Sequence, residues 1–197
     1  AVSQLESPKY APVVALTALP APSTLVALAT TEASLRFMDM RTCKYTHEFR
    51  CSVGSTGLIR CVVVSPDSNW VAIGFSTGLI YILNVNSGMF LHFWKAHDAE
   101  ILQLKAYSKS RLLSSAFDQT IKLWNVDTGQ EVCPTKFQSE PVHCLSIYRD
   151  QLLTATTANR ISVYASVTDS AAFASSKLRS GSFKGVLTCM SVLPLNK

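Results

Sequence analysis

Long apolar runs and blocks of like charge are absent from this sequence of 197 residues. No apolar stretch reaches the roughly 18 residues that a membrane-spanning helix needs. Only 16% of the residues are charged and 48% are hydrophobic, which is the opposite of the balance that keeps a chain disordered. The apolar segments are about 4–8 residues long and are interrupted regularly, as β-strands are.

Signals for secretion and oxidation are missing as well. The sequence starts at Ala1, with neither an initiator Met nor a charged-then-apolar signal region. It contains no N-x-S/T glycosylation site, and its six cysteines show no tight spacing. These features predict a fragment of a larger protein in a reducing, intracellular compartment, where a free cysteine behaves as a small buried hydrophobe.

The net charge of +5 raises the question of nucleic acid or an anionic membrane as a partner. Lys and Arg are interspersed with Asp and Glu, however, and no two Arg are adjacent. A dispersed positive surface is therefore the preferred interpretation, with no nucleic acid bound. Neither a phosphate-binding loop nor a dinucleotide fingerprint occurs, so the sequence predicts no cofactor.

An internal repeat organises the chain. Residues 78–90 (GLIYILNVNSGMF) align without a gap with residues 119–131 (QTIKLWNVDTGQE), at an offset of 41 residues. Each stretch holds an alternating strand and a turn ending in Gly, which supplies the positive φ that a short hairpin needs. Weaker copies begin near Ser34 and Asn159. Four copies at spacings of 40–45 residues match the period of four-stranded propeller blades.

The predicted fold is therefore an all-β propeller fragment. Its four blades are expected at residues 12–50, 57–95, 97–137 and 140–183, and the first strand of a further blade at 185–193. In the third blade the strands are expected at 100–106, 111–116, 119–125 and 130–137. Residues 165–182, rich in Ser and Ala, are expected to form an irregular mobile loop. The parent protein would complete a propeller of about seven blades, so this segment alone should expose strand edges and be poorly soluble.

One blade resembles the WD40 repeat family closely. Ala96-His97 followed by Ser114 to Asn125 (SSAFDQTIKLWN) is similar to the WD40 consensus, which has a Gly-His pair, a Ser-x-Ser-x-Asp turn and a Trp-Asp ending. The resemblance implies a hydrogen-bonded structural tetrad of His97, Ser114, Asp118 and Trp124, in which the carboxylate orients the imidazole and the indole N–H finds an acceptor. At the Trp-Asp position the other blades carry Met38-Asp39, Leu83-Asn84 and Tyr164-Ala165, so only this blade is expected to form the tetrad.

Over residues 25–194 the sequence also resembles the C-terminal propellers of BEACH-domain WD-repeat proteins. The likeness lies in HEFR (47–50), GFSTG (74–78), WKAHDAEILQLKA (94–106), EPVHCLSIY (140–148) and FKGVLTCMSVLP (183–194). The resemblance implies a scaffold on endosomal, lysosomal and autophagic membranes that works with a second WD-repeat protein. It implies a cytoplasmic location, with membrane association that is peripheral or provided by other parts of the parent protein.

The function expected from the fold is non-catalytic protein binding, because propeller strands form the scaffold and loops carry recognition. The loops that enter each inner strand and those joining strands two and three should share one face. Candidate contact residues on that face are Arg60, Lys95, Asp98, Glu100, Phe117, Gln119, Glu140 and Arg160. The alternative is a generic WD-repeat adaptor in a ubiquitin-ligase or RNA-processing assembly.

Three patterns with catalytic or metal-binding chemistry have simpler structural interpretations. Gly74 to Gly78 fits the G-x-S-x-G nucleophile elbow, but an elbow needs a strand-to-helix turn and this segment joins two strands. Cys43, His47 and Cys51 are ligand types that zinc accepts, yet no fourth ligand stands nearby. His143-Cys144 are adjacent on a strand and should point to opposite faces. The sequence therefore predicts neither an enzyme nor a metal site.

Overall fold

The computed structural model describes residues 11–51, 57–177, 187 and 189–191. Within these ranges every regular element is a β-strand, which confirms the all-β prediction. No helix suited to crossing a membrane occurs in them.

The strands form four antiparallel sheets, each a meander of four strands in chain order. Blade 1 contains β1 (Val13–Ala18), β2 (Leu25–Thr30), β3 (Ser34–Asp39) and β4 (Lys44–Arg50). Blade 2 contains β5 (Ile59–Val64), β6 (Trp70–Phe75), β7 (Leu79–Asn84) and β8 (Phe90–Lys95). Blade 3 contains β9 (Ile101–Ser108), β10 (Arg111–Ala116), β11 (Thr120–Asn125) and β12 (Lys136–Phe137). Blade 4 contains β13 (Val142–Tyr148), β14 (Gln151–Thr156), β15 (Arg160–Tyr164) and β16 (Ala174–Lys177).

The blades pack face to face, with the first strands β1, β5, β9 and β13 side by side in chain order. Three separate cores result, one for each pair of neighbouring blades. Because successive strand residues point to opposite faces, Leu112 enters the core between blades 2 and 3 while Leu113 enters the core between blades 3 and 4. Both side chains are fully buried. The alternation seen in the sequence thus lets one sheet serve two cores.

The connection between the second and third strands has the same conformation in each blade. It contains a residue at positive φ: Ala33 (55°), Gly78 (81°), Gln119 (64°) and Asn159 (60°). The segment leading to the next blade then donates a backbone N–H to the carbonyl of this residue, as Cys51 does to Ala33 (2.8 Å) and Ala96 to Gly78 (3.0 Å). A Cβ on Gly78 would lie 2.8 Å from the carbonyl oxygen of Ala99, so only glycine fits there.

Antiparallel meanders place these connections at one end of the sheets. We call this end the loop face; it comprises residues 31–33, 76–78, 117–119 and 157–159 with the segments 96–100 and 138–141. The opposite end, the turn face, carries the connections between strands one and two and between strands three and four. Val13, Val14 and Leu16 of β1 remain 49%, 41% and 67% exposed, so the outward side of blade 1 presents apolar surface.

The outer strand of blade 3 differs from the sequence prediction. Residues 130–137 were expected to form one strand, but only Lys136–Phe137 pair with β11, apart from an isolated bridge between Glu131 and Trp124. Pro134 lies between these two contacts. A proline has no N–H to donate to the sheet, which explains why the strand is broken there.

Two predictions concern the C-terminal part. Residues 165–182 were expected to form an irregular loop, but Ala174–Lys177 pair with β15 as the outer strand of blade 4, and residues 178–182 lie outside the described residues. The Ser and Ala of this strand are small enough to lie along an edge. The strand predicted at 185–193 falls mostly outside the described residues. Of its described part, Leu187 donates its N–H to Oδ1 of Asn159 at 2.9 Å.

Candidate interaction site

The structure brings His97, Ser114, Asp118 and Trp124 into one hydrogen-bonded chain. Nδ1 of His97 lies 2.9 Å from Oδ2 of Asp118, and its Nε2 lies 2.6 Å from Oγ of Ser114. The indole N–H of Trp124 donates to the same Oγ at 2.8 Å. These hydrogen bonds join the segment entering β9 to β10 and β11, so they fix the position of the loop face on blade 3.

The donors and acceptors of this tetrad match in a single arrangement. Trp124 can only donate, so Oγ of Ser114 accepts from it and offers its own hydrogen to Nε2 of His97. The remaining hydrogen of the imidazole, on Nδ1, then points to the Asp118 carboxylate. Every polar atom along the chain is satisfied with a neutral histidine.

The pKa shifts agree with a neutral imidazole. Burial lowers the pKa of His97, and it outweighs the opposing effect of the Asp118 carboxylate. For Asp118 burial acts to raise the pKa, but hydrogen bonds from Thr120 and His97 outweigh it and lower the pKa. Asp118 is therefore an anion held by neutral donors, which makes the tetrad a structural device.

Two residues outside the tetrad, Thr120 and Lys122, hold it in place, and the sequence analysis did not identify either of them. Oγ1 of Thr120 donates to Oδ1 of Asp118 at 2.7 Å, and its backbone N–H bonds the same oxygen at 3.1 Å. Lys122 reaches over the Trp124 ring, with Nζ 5.7 Å from the centroid, to donate to the carbonyl of Ala96 at 2.9 Å. The spacing Asp-x-Thr is a common turn pattern and could have identified Thr120.

The residue after the Trp position caps a turn both in blade 3, which has the Trp, and in blades 1 and 2, which lack it. Oδ1 of Asn84 accepts the backbone N–H of Asn86 (3.0 Å), and Oδ1 of Asn125 accepts that of Asp127 (2.9 Å). Asp39 does the same for Arg41 at 2.9 Å. In blades 1 to 3 the residue at the Asp position of Trp-Asp is therefore a turn-capping residue on the turn face, whereas blade 4 has Ala165 there.

The predicted contact residues lie on the loop face or at the strand ends beside it, in two groups. In the first group, Arg60 forms an ion pair with Glu100. Nζ of Lys95 donates to the carbonyl of Thr77 at 2.6 Å. The backbone N–H of Asp98 lies 3.3 Å from Oδ2 of Asp118, which ties this loop to the tetrad.

In the second group, Glu140 and Arg160 meet at one hydroxyl. Oγ1 of Thr156 donates to Glu140 at 2.9 Å and accepts the backbone N–H of Arg160 at 3.3 Å. Phe117 is 49% exposed and stands in the turn that also holds Gln119. The loop face thus combines charged groups held by hydrogen bonds with an exposed aromatic side chain, a type that is enriched at protein interfaces.

A cavity of about 270 Å³ opens where the first strands of blades 1 to 3 meet the loop face. It is lined by Val14, Ile59, Arg60, Glu100, Ile101 and Leu102. The Arg60–Glu100 pair stands among apolar side chains there, so the cavity has one polar feature to orient a bound group.

The three patterns with catalytic or metal-binding chemistry lie in turns and strands of the sheets. Oγ of Ser76, in the turn between β6 and β7, accepts the backbone N–H of Leu58 at 2.9 Å. His143 and Cys144 lie at a β-bulge, where burial lowers the pKa of the imidazole and raises that of the thiol, so neither forms an ion pair with the other. Cys43 is exposed and Cys51 is buried, and no metal-ligand cluster occurs in the part of the chain that is described.

Four sheets of this topology and a tetrad of this composition define a WD40-type β-propeller, and the chain belongs to the WD40-repeat proteins. The family model described as "WD domain, G-beta repeat" matches residues 43–84 and 88–125. The crystal structure of the RRP9 WD40 repeats superposes with a TM-score of 0.71 at 21% identity, covering 80% of this chain and 49% of that one. At that identity the likeness shows the fold alone.

Among curated proteins the chain is similar to WD repeat-containing protein 81. It is 38% identical over 189 residues to the Danio rerio protein and 35% identical over 187 residues to the Homo sapiens protein, in each case over 94% of this chain. These matches span 9% and 10% of the relatives, so the chain corresponds to about a tenth of their length. The resemblance to WD-repeat proteins seen in the sequence is thereby confirmed. The WD40 propeller is typically a non-catalytic fold that mediates contacts between proteins.

Proposed function

We propose that this chain is the non-catalytic, protein-binding propeller of a larger scaffold that acts in endosomal and lysosomal membrane traffic and in autophagy. The observation that supports the binding role is the arrangement of the loop face, where Phe117 is half exposed and its neighbours are fixed by the tetrad. The trafficking role follows from the resemblance to BEACH-domain WD-repeat proteins and from the similarity to WD repeat-containing protein 81.

The scaffold role is favoured over an enzymatic one because the polar groups that a reaction would need already take part in structural contacts. The Ser76 hydroxyl is occupied by a backbone N–H, and the imidazole of His97 is buried within the tetrad. Arg60, Glu100 and Glu140 are held in pairs that shape a surface. Such pre-organised groups lower the entropy cost of binding a partner.

The partners we propose are a second WD-repeat protein and endosomal or autophagic machinery. The location we propose is the cytoplasm, peripheral on endosomal and lysosomal membranes, with any direct membrane contact made by other parts of the parent protein. The dispersed charge on the chain supports contact with proteins over direct contact with lipid.

The test is quantitative affinity capture with the intact protein that carries this chain. We expect endosomal membrane proteins and a second WD-repeat protein to be enriched, and a Phe117→Asp variant to reduce their recovery at least tenfold. Phe173→Asp is the matched control, because Phe173 is 62% exposed but leads into β16 from the turn face.

Recovery of ubiquitin-ligase or RNA-processing components in place of endosomal proteins would reject the trafficking role and favour the generic adaptor. Equal losses in the Phe117 and Phe173 variants would show that the loop face is not the binding surface. Thermal melts of both variants must match the unaltered protein, so that lost binding is not lost folding.

A further inference from the structure

A second crevice, of about 300 Å³, opens on the turn face between blades 2 and 3. Its walls are Trp70, Ile82, Leu91 and His92 from blade 2, and Val126 and Asp127 from the β11–β12 turn. It lies at the opposite end of the sheets from Phe117 and Arg60, so it is separate from the proposed binding surface.

The floor of this crevice is apolar. Trp70, Ile82 and Val126 are 5%, 0% and 3% exposed, whereas Leu91 stands at the rim and is 51% exposed. The indole N–H of Trp70 already donates to the carbonyl of Lys109 at 2.5 Å. Leu91 therefore provides most of the apolar surface that a ligand can reach, and Trp70 has no free indole donor.

The rim carries one formal charge, the carboxylate of Asp127. The side chain is exposed, and within the described ranges its carboxylate has neither a hydrogen bond nor an ion pair. Its backbone N–H, by contrast, is fixed by Oδ1 of Asn125. The turn is thus held in place by its backbone while the charge remains available.

We propose that this crevice binds a single arginine side chain from a partner protein. A volume of about 300 Å³ is at the lower end of ligand pockets and suits one long side chain. The methylene stem would lie along Leu91, since such stems cover apolar surface while their charged heads stay at its edge. The guanidinium would pair with Asp127, because its planar fork matches a carboxylate and is weakly hydrated.

Blade 2 contains a turn equivalent to the Asp127 turn of blade 3, but without the carboxylate. The turn 84–88 of blade 2 repeats the turn 125–129 of blade 3, and Asn86 stands at the position of Asp127. Both residues donate a backbone N–H to the side chain that caps their turn, at 3.0 Å and 2.9 Å. Asparagine is therefore compatible with this turn, and Asp127→Asn removes the charge without altering the fold.

The test uses hydrogen-exchange mass spectrometry on the intact protein that carries this chain. The probes are N-acetyl-arginine amide and its neutral counterpart N-acetyl-citrulline amide, each titrated through the millimolar range. We expect the arginine probe to slow exchange at least twofold in peptides covering residues 89–95 and 125–130. The citrulline probe should need at least tenfold higher concentration for the same effect.

Two variants decide the outcome. Asp127→Asn should abolish the preference for arginine over citrulline while melting at the same temperature as the unaltered protein. Asp98→Asn is the control, since Asp98 is an exposed acid on the loop face, and it should leave the preference intact. Equal protection by both probes, no protection at all, or an arginine preference that survives Asp127→Asn would each overturn the proposal.

Discussion

The ring of Phe49 in blade 1 lies directly against the backbone of Gly88 in blade 2. A Cβ built on Gly88 would fall within the ring itself. The same contact recurs one blade further on, where a Cβ on Gly129 would lie 3.2 Å from Cε3 of Trp94. The outer strand of each of these blades thus places an aromatic ring on the turn of the next. At Gly88 the turn needs glycine for this contact as well as for its positive φ.

Replacing these two glycines by alanine should have unequal effects. Gly129→Ala introduces a left-handed conformation for a residue with a Cβ, at a cost of about 1–2 kcal/mol of unfolding free energy. Gly88→Ala carries the same cost and must also displace Phe49, which adds about 1–3 kcal/mol of overpacking. Urea unfolding curves measure both. A Gly129 variant as unstable as the Gly88 variant would contradict the close contact with Phe49.

Truncation of Trp124 should unfold blade 3 and its loop face together. The indole is 6% exposed, packs 5.7 Å from the ring of Trp94 and supplies the last donor of the tetrad. We expect Trp124→Ala to lower the unfolding free energy by about 3–5 kcal/mol. Trp124→Phe keeps most of the packing and loses the hydrogen bond, so its cost should be nearer 1–2 kcal/mol. Thermal melts and partner binding should fall in parallel, and a Trp124→Ala protein with an unchanged melt would be evidence against this role.

Stability should decrease as the pH falls below 6.5. Burial lowers the pKa of His97 below its ordinary value of 6.5, so the unfolded chain binds a proton in a pH range where the native state does not. The free energy of unfolding is then fully present above pH 6.5 and is lost as the pH falls toward the native pKa. Burial lowers the pKa of His47 and His143 as well, with the same sign.

The control for this pH dependence is His97→Gln. Its denaturation midpoint should be lower at neutral pH, but it should depend less steeply on pH between about 6.5 and 5, because one of the three titrating groups is gone. The residual slope belongs to the other two histidines. Identical slopes in both proteins would show that His97 does not titrate on unfolding.

Cys43→Gly should stabilise blade 1. Cys43 has a φ of 53° at the position where the equivalent turns carry Gly88 and Gly129. Relieving the left-handed conformation adds about 1–2 kcal/mol to the free energy of unfolding. The greater freedom of glycine in the unfolded chain subtracts about 0.5–1 kcal/mol from this gain. A small increase in melting temperature is expected. Cys43→Ser removes the thiol and keeps the Cβ, so it should show no such increase.

The repeat could be predicted from the sequence because it depends on short patterns of neighbouring residues. The Asn-Val pairs, the glycines at 88 and 129 and the alternation within each strand depend only on neighbours along the chain. The residues of the tetrad were identified from the resemblance of one blade to a consensus, and the structure places them within hydrogen-bond distance.

Other features depend on contacts between blades and carry no local signal. The crevice beside Asp127 exists because the turn of blade 3 packs against residues of blade 2. The sequence of neither segment indicates that the two will be in contact. The meeting of Glu140 and Arg160 at Thr156 joins the segment that enters blade 4 to the two ends of the β14–β15 connection. The break in the outer strand of blade 3, in contrast, could have been foreseen from Pro134.

The three separate cores make this propeller behave as a nearest-neighbour stack. Blades 2 and 3 each share two cores within the described residues, whereas blades 1 and 4 share one each. In stacked repeats stability is close to a sum of repeat and neighbour contributions, so blades 2 and 3 are each held by two described cores. His97, Asp98 and Glu100 lie between the two middle blades and should show the slowest amide exchange on the loop face. A partner that binds there meets a surface that is already rigid.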